Sequence, residues 1–338
     1  MSGKNIFWFE ELGKEHKDLV GNKCANLGEM AGIGLPVPEG FALSVEAYSE
    51  FLSNTGAAEE INKHLKKSGA AGQSNELSNN LRRIVQSAAM PDEMEKEVIG
   101  YYEELCRKCG TGQVAVSVRS SGPVSHPGQY ETYLNITGAA KVLENIKKVW
   151  ASTFNSRSLA FRNQKELPLE SAPIGVAVLK MVDAKAAGII FTADPNTGDT
   201  SRMIIEANWG LGESVVSGQS TPDIYTLDKN TLKIIEKKLG PKSSYITTNG
   251  VGTAEVETSQ EKSSAFCISD EEASTIAGLA KRLEDHFGAP QDVEWAVAQD
   301  TESADSIILL QTRNAVIAQE KSSSDQIIDL MLNRFSGK

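Results

Sequence analysis

The sequence predicts an α+β protein organised as two closely associated domains or subdomains, and three observations predict it. The chain has 338 residues with 40% hydrophobic content, too large for one simple core and apolar enough to fold without staples. The stretch before Gln113 is patterned mostly for helices. From Gln113 onward, short β-branched runs alternate with helical stretches and glycine-rich turns.

Taken in order, GIGLPVPEG (32–40) interrupts the first helical pattern with Gly and Pro, and FALSVEAYSEFL resumes it, with Ser44 followed by Glu46 as a helix start. KKSGAAGQSNELS (66–78) reads as a polar connection between helices. QVAVSVRSS is a strand leading into the turn-rich SGPVSHPGQ. One long amphipathic helix is expected from Ala139 to about Arg162, burying Trp150, Phe154 and Phe161. PIGVAVLKMV (173–182) and AAGIIFTADP (186–195) read as a hairpin or as adjacent strands. SRMIIEANWGLGE is a strand entering a glycine turn, and DIYTLDKNTLKIIEKKL a hairpin about Asp228, Lys229 and Asn230. EEASTIAGLAKRLEDHFG is a helix with a Gly stop, and DVEWAVAQ and SIILLQTR are paired strands.

Lys plus Arg number 34 against 45 Asp plus Glu, a formal net charge of -11, so no overall basic field holds nucleic acid. No apolar run reaches the length of a membrane span and the start lacks a signal-peptide pattern, so a cytoplasmic protein is expected, with no membrane partner. Of the cysteines Cys24, Cys106, Cys109 and Cys267, only CRKC at 106–109 has a metal-like spacing. One such pair is half a zinc site, and it reads as two reduced thiols near a helix end.

Charges embedded in apolar strands are costly unless something pairs with them. Arg119 in VSVRSS, Glu294 in DVEWA, and Gln311 with Arg313 in LLQTR have this character. Arginine pairs with phosphate oxygens, and Glu and Gln oxygens are hard ligands for Mg²⁺, so the combination suits a magnesium-triphosphate. Taken singly, each is also a strand-end ion pair. Two glycine-bearing loops, GPVSHPGQYET (122–132) and NWGLGES (208–214), could bring main-chain N–H groups to phosphate. Neither matches a Walker A or a Rossmann fingerprint.

GNKCANLGEMAGIGLPVPEGFALS (21–44), VAVSVRSSGPVSHPGQYETYLNI (114–136), AAGIIFTADP, EANWGLGESVVSGQSTPDIY (206–225) and DVEWA…LLQTR (292–313) stand in that order. Together they resemble the ATP-binding domain of the phosphoenolpyruvate synthase, pyruvate phosphate dikinase and rifampin phosphotransferase family. The resemblance implies an ATP-grasp fold of two subdomains, 1–177 and 178–318, with the nucleotide in the cleft between them and a tail over 319–338. It implies that Lys23, Arg119 and Arg313 bind phosphate and act catalytically. Gly128 and Thr132 fall in the loop over the phosphate chain, Glu213 near the nucleotide, and Glu294 and Gln311 match the magnesium ligands. ATP and Mg²⁺ are thus the implied cofactors. Leu179 stands where many relatives have an adenine-contacting Gln, and Arg313-Asn314 where they have Arg-Pro.

Family members pass phosphate through a histidine in a Gly-Gly and Thr-rich motif, and none of His16, His64, His126 and His286 has that context. His126 in SHPG reads as a loop residue, and His286 as a partner of a helix end. The implied partner is a larger subunit carrying the phosphohistidine and acceptor-substrate domains. That division resembles phenylphosphate synthase, whose small subunit is similar to a nucleotide domain, and it implies transfer of the β-phosphoryl group of ATP toward phenol. The alternatives are an ATP-binding fragment of a phosphoenolpyruvate synthase or an antibiotic phosphotransferase, or a non-catalytic ATP-sensing subunit.

Overall fold

The computed structural model describes residues 3–68, 75–122, 130–170, 172–250, 252–299 and 306–318. The chain is mixed helix and sheet, of the α+β class expected. It divides into two compact units, one of Met1–Lys185, Ile246–Val256 and Ala296–Thr312, the other of Ala186–Tyr245, Glu257–Trp295 and Arg313–Lys338.

The amino-terminal elements are β1 (Ile6–Trp8), α1 (Lys17–Gly32), β2 (Gly40–Leu43), α2 (Val45–Asn54), α3 (Ala57–Ser68), α4 (Asn75–Ser87) and α5 (Asp92–Lys108). They are followed by β3 (Val116–Ser121), β4 (Thr132–Ile136), α6 (Ala139–Ala151), α7 (Ser156–Gln164) and β5 (Gly175–Lys180). The five strands form one antiparallel sheet in the order β1-β2-β5-β3-β4. Phe41, Leu43, Val116, Val118, Val176 and Val178 join the helical core with Phe51, Leu81, Val98 and Trp150. Trp150 stacks on Tyr48 at 5.3 Å between ring centroids and lies 4.9 Å from Phe51. Burial of these rings removes a large apolar area from water.

Two local expectations need correction here. FAL does not resume a helix: it is the strand β2, held between β1 and β5, and the helix begins only after Ser44, whose hydroxyl accepts from Ala47 N at 3.0 Å. The long helix expected from Ala139 is broken. Ser152 and Thr153 hydroxyls bond back to the Val149 and Trp150 carbonyls through a 3₁₀ turn at Ser152–Phe154. Asn155 then takes extended backbone and caps α7 by accepting from Ser158 N at 2.7 Å. Trp150 and Phe154 are buried as expected, whereas Phe161 is only half-buried.

Beyond β5 come β6 (Ala184–Phe191), β7 (Arg202–Trp209), α8 (Glu213–Val216), β8 (Asp223–Asp228), β9 (Ile234–Lys238), β10 (Ser244–Thr248) and β11 (Thr253–Glu257). The last elements are α9 (Gln260–Ser263), α10 (Asp270–Phe287), β12 (Gln291–Ala298) and β13 (Ile307–Asn314). A six-stranded sheet runs β13-β12-β6-β7-β8-β9, and β10 pairs with β11. The expected hairpin of 173–182 with 186–195 is therefore overturned, because β5 pairs with β2 and β3 while β6 pairs with β7 in a different sheet. The hairpin β8–β9 is as read, with Asp228 Oδ1 accepting from Asn230 N and Thr231 N. α10 starts in a capping box of Ser269 and Glu272 and stops at Gly288, whose φ of 70° is left-handed.

A fully buried ion pair lies in the second unit. Asp223 Oδ1 accepts from Lys242 Nζ at 2.5 Å and from Gly240 N at 2.9 Å, and Oδ2 from Cys267 N at 2.9 Å. Lys242 also donates to the Gly240 carbonyl at 2.9 Å. The thiols are free: Cys106 is buried near the end of α5 and Cys109 is half-buried at its C-terminal cap. No helix among the described residues is long and apolar enough to cross a membrane.

Candidate functional site

Lys23 owes its position to Gly21. α1 is interrupted there by a φ of 79° and a ψ of 164°. A Cβ at Gly21 would lie 2.0 Å from the Ser121 carbonyl oxygen, so only glycine lets this turn approach the end of β3. The helix then restarts against that end: Asn22 N donates to Gly122 O at 2.9 Å, and Cys24 N to Ser121 Oγ at 3.0 Å. Burial pushes the Cys24 thiol up to about 12, against a Ser121 hydrogen bond and the positive charges of Lys23 and Arg119. Both cations, far apart in sequence, therefore act on the same buried sulfur.

Arg119 lies opposite Thr132 on β4 and Ala177 on β5. Residues directly opposite share a face, and so do alternate residues along a strand. Ser117, Arg119, Thr132, Ala177 and Leu179 thus stand on one face, while Val116, Val118, Val176 and Val178 enter the helical core on the other. The alternation V-S-V-R-S-S separates core from site. Leu179, at the position read as adenine-contacting, is 2% exposed. Thr132 is braced from its neighbours: Arg82 on α4 contacts both oxygens of Glu131 at 2.7 and 2.8 Å, the Tyr133 hydroxyl donates to the same carboxylate, and Glu131 N donates to Ser152 Oγ at 3.2 Å. Gly128 and His126 lie outside the described residues.

On β12 and β13 the charges gather about Asp292. Arg313 Nε and Nη2 both reach Asp292 Oδ2, at 2.7 and 2.6 Å, and Asp292 is 6% exposed. Burial pushes the Asp292 carboxyl above its usual range, Arg313 opposes this, and the charge of Glu294 adds to the rise. Glu206 on β7 is raised too, by burial first and then by Asp292. A carboxyl whose folded pKa is raised gives a stability that is full below its unfolded value and lost as pH climbs through the folded one. Glu206→Gln is therefore expected to stabilise the unliganded protein above the ordinary carboxylate range, with denaturant melts at pH 5 and pH 8 showing the larger gain at pH 8. An equal gain at both values would count against a raised Glu206.

Gln311 Oε1 is buried and accepts no hydrogen bond among the described residues. An unsatisfied buried amide oxygen costs about 1–3 kcal/mol, which a hard cation at that oxygen would relieve. No group of three or more His, Cys, Asp or Glu side chains that could hold a metal is found among the described residues. Glu213 is exposed at the start of α8, after the glycine turn at 210–212. Neighbouring Asn208 ties that turn by donating to Ser214 Oγ at 3.1 Å and Ser244 O at 2.9 Å. His286 is exposed in the last turn of α10.

The model of the pyruvate phosphate dikinase, AMP/ATP-binding domain matches residues 17–333. The chain belongs to that family. Among the relatives of this ATP-binding-domain chain, a probable phosphoenolpyruvate synthase of Methanothermobacter thermautotrophicus is 35% identical over 332 residues, 96% of this chain and 48% of the relative. A second, of Staphylothermus marinus, is 36% identical over 91% of this chain and 41% of its own length. The phosphoenolpyruvate synthase of Pyrococcus furiosus is 33% identical over 96% of this chain and 45% of its own length. The chain thus spans about half or less of the length of these relatives.

Sequence pattern alone does not single out Asp292. It is the first letter of DVEWA, two residues before Glu294 and so on the same face of β12. A carboxylate at that spacing beside an embedded Arg was the signal available. At the next residue after Arg313, the Asn314 side chain accepts from Gln291 Nε2 at 3.1 Å.

Proposed function

We propose that the chain is the ATP- and Mg²⁺-binding domain of a phosphoenolpyruvate synthase-type phosphotransferase, binding nucleotide in the ATP-grasp manner. The observation that carries the reading is the seating of the turn about Lys23 on the end of β3, with Asn22 N on Gly122 O and Cys24 N on Ser121 Oγ just beyond Arg119, and with Thr132 directly opposite Arg119. Two cations and a hydroxyl of a braced strand are what a polyphosphate chain requires. Lys23 and Arg119 bind and orient the triphosphate, and Arg313, held by Asp292, supplies a further guanidinium. Thr132, the first residue of β4 rather than a loop residue, would offer its hydroxyl to the phosphates, as would Gly128 its main-chain N–H, and Glu213 would lie toward the nucleotide. Glu294 and Gln311 would hold Mg²⁺, which when bound offsets charge developing on the transferred phosphoryl group. Most of the catalysis by these residues is positioning and electrostatic.

A histidine nitrogen on a further domain or a partner chain attacks the β-phosphorus and AMP leaves with the α–β bridging oxygen; water then cleaves the β–γ bond, releasing phosphate and leaving the β-phosphoryl group on the histidine. The names of the relatives favour phosphoenolpyruvate over phenylphosphate as the product of the assembled reaction, so the phenol reading gives way. The test mixes this chain with the histidine-bearing segment of such a synthase and ATP labelled at the β-phosphorus. Mg²⁺-dependent label on the histidine is expected. ATP binding without transfer would leave an ATP-sensing domain instead.

A further inference from the structure

Asn26 lies on α1 one turn beyond Lys23, so both residues stand on one side of the helix. Its Nδ2 donates to the main-chain oxygen of Thr312 at 2.9 Å. Only the NH₂ end of an amide can donate to a carbonyl, so this partner decides which way the amide faces. The other end, Oδ1, is buried with no hydrogen-bond partner among the described residues.

β13 is the outermost strand of its sheet, and an outermost strand has a row of main-chain groups without a strand partner. On β13, Leu309 N donates to Pro36 O at 2.8 Å and Thr312 O takes Asn26. Thr312 separates Gln311 from Arg313, whose side chains share a face of the strand. The Asn26 bond thus holds β13 at the residue between the two that meet metal and phosphate in the proposed function. It does so from the helix that carries Lys23.

We propose that Asn26 is a positioning residue for MgATP: it fixes α1 to β13, so that Lys23 and Gln311 meet one metal-triphosphate unit from set positions. The inference rests on the nucleotide-binding reading above. A purely structural Asn26 would show its loss in stability alone: an apolar residue of the same size removes an unsatisfied buried oxygen but also takes the donor from the Thr312 carbonyl, and neither change reaches the nucleotide. A positioning Asn26 would show its loss in MgATP affinity as well, beyond any shift in melting temperature.

The test titrates MgATP into the full chain by calorimetry, repeats the titration with Mg²⁺ varied at fixed ATP, and records thermal melts. Asn26→Leu is expected to fold, to bind MgATP about tenfold or more weakly and to need more Mg²⁺ for half-saturation, whatever shift in melting temperature the loss of the Thr312 bond brings. Should Asn26→Leu not fold, Asn26→Ala provides the same comparison. Val85→Ala, in the helical core, is the stability control, expected to melt lower with unchanged MgATP affinity. Wild-type affinity and Mg²⁺ dependence in both Asn26 variants overturn the proposal while leaving the functional reading intact. A wild-type chain that binds no MgATP overturns the functional reading itself.

Discussion

Lys242→Ala is expected to lower stability by about 3–5 kcal/mol, the cost of leaving one partner of a buried ion pair uncompensated. Neither Lys242 nor Asp223 has any side-chain exposure. Removing the ammonium leaves the Asp223 carboxylate with two main-chain donors, Gly240 N and Cys267 N, and no counter-charge. Those two bonds tie β8 to the turn before β10 and to the segment entering α10, so the loss should spread across the second unit. Urea melts of the wild type, Lys242→Ala and the double variant Lys242→Met with Asp223→Leu check this. The double variant removes both charges but also the acceptor of the Gly240 and Cys267 N–H groups, so it should regain only part of the loss. A single-variant loss below about 1 kcal/mol would mean that water replaces the ammonium, contrary to the burial of the pair.

Arg119→Met is expected to weaken MgATP binding by about a hundredfold or more, with the fold retained. The strand pairing of Arg119 with Thr132 and Ala177 is made by main chain, so the β3 ladder does not depend on the guanidinium. Methionine keeps the apolar stem but removes the charge and the planar fork of donors. Arg119→Lys should restore only part of the affinity, because an ammonium cannot make the paired bonds of a guanidinium to phosphate. Calorimetric titration, with circular dichroism to confirm folding, distinguishes the cases. Undiminished binding by Arg119→Met would remove Arg119 from the nucleotide site.

Asp292 sharpens what Arg313 does. Two nitrogens of the arginine converge on one carboxylate oxygen, so the guanidinium is held in a fixed orientation on β13. The raised Asp292 and Glu206 carboxyls share a cause, burial among neighbouring acids, which a bound cation or an added positive group relieves. The stabilisation expected of Glu206→Gln and the Mg²⁺ binding proposed for this region would therefore have one electrostatic origin.

Much of the architecture is legible in the sequence because its determinants are local. Ser44 reads as a cap since the hydroxyl bonds three residues on, Asp228 as a hairpin turn since its carboxylate meets the next two main-chain N–H groups that follow Lys229, and Gly288 as a helix stop since only its backbone favours the left-handed turn. The V-S-V-R alternation likewise separated the core face of β3 from the face bearing Arg119. Arg119, Glu294, Gln311 and Arg313 stand out in the sequence as polar residues embedded in apolar strands. Tertiary structure alone decided the rest. β5 and β6 look like a hairpin by apolar runs, but their pairing energy lies with β2, β3 and β7, which no local pattern encodes. The break at Asn155 likewise follows from hydroxyl bonds competing with the helix, and Asp292, Lys242 and Asn26 acquire their roles from partners distant in the chain. A residue's type predicts what it can bond to; only the folded chain determines which partner comes within reach.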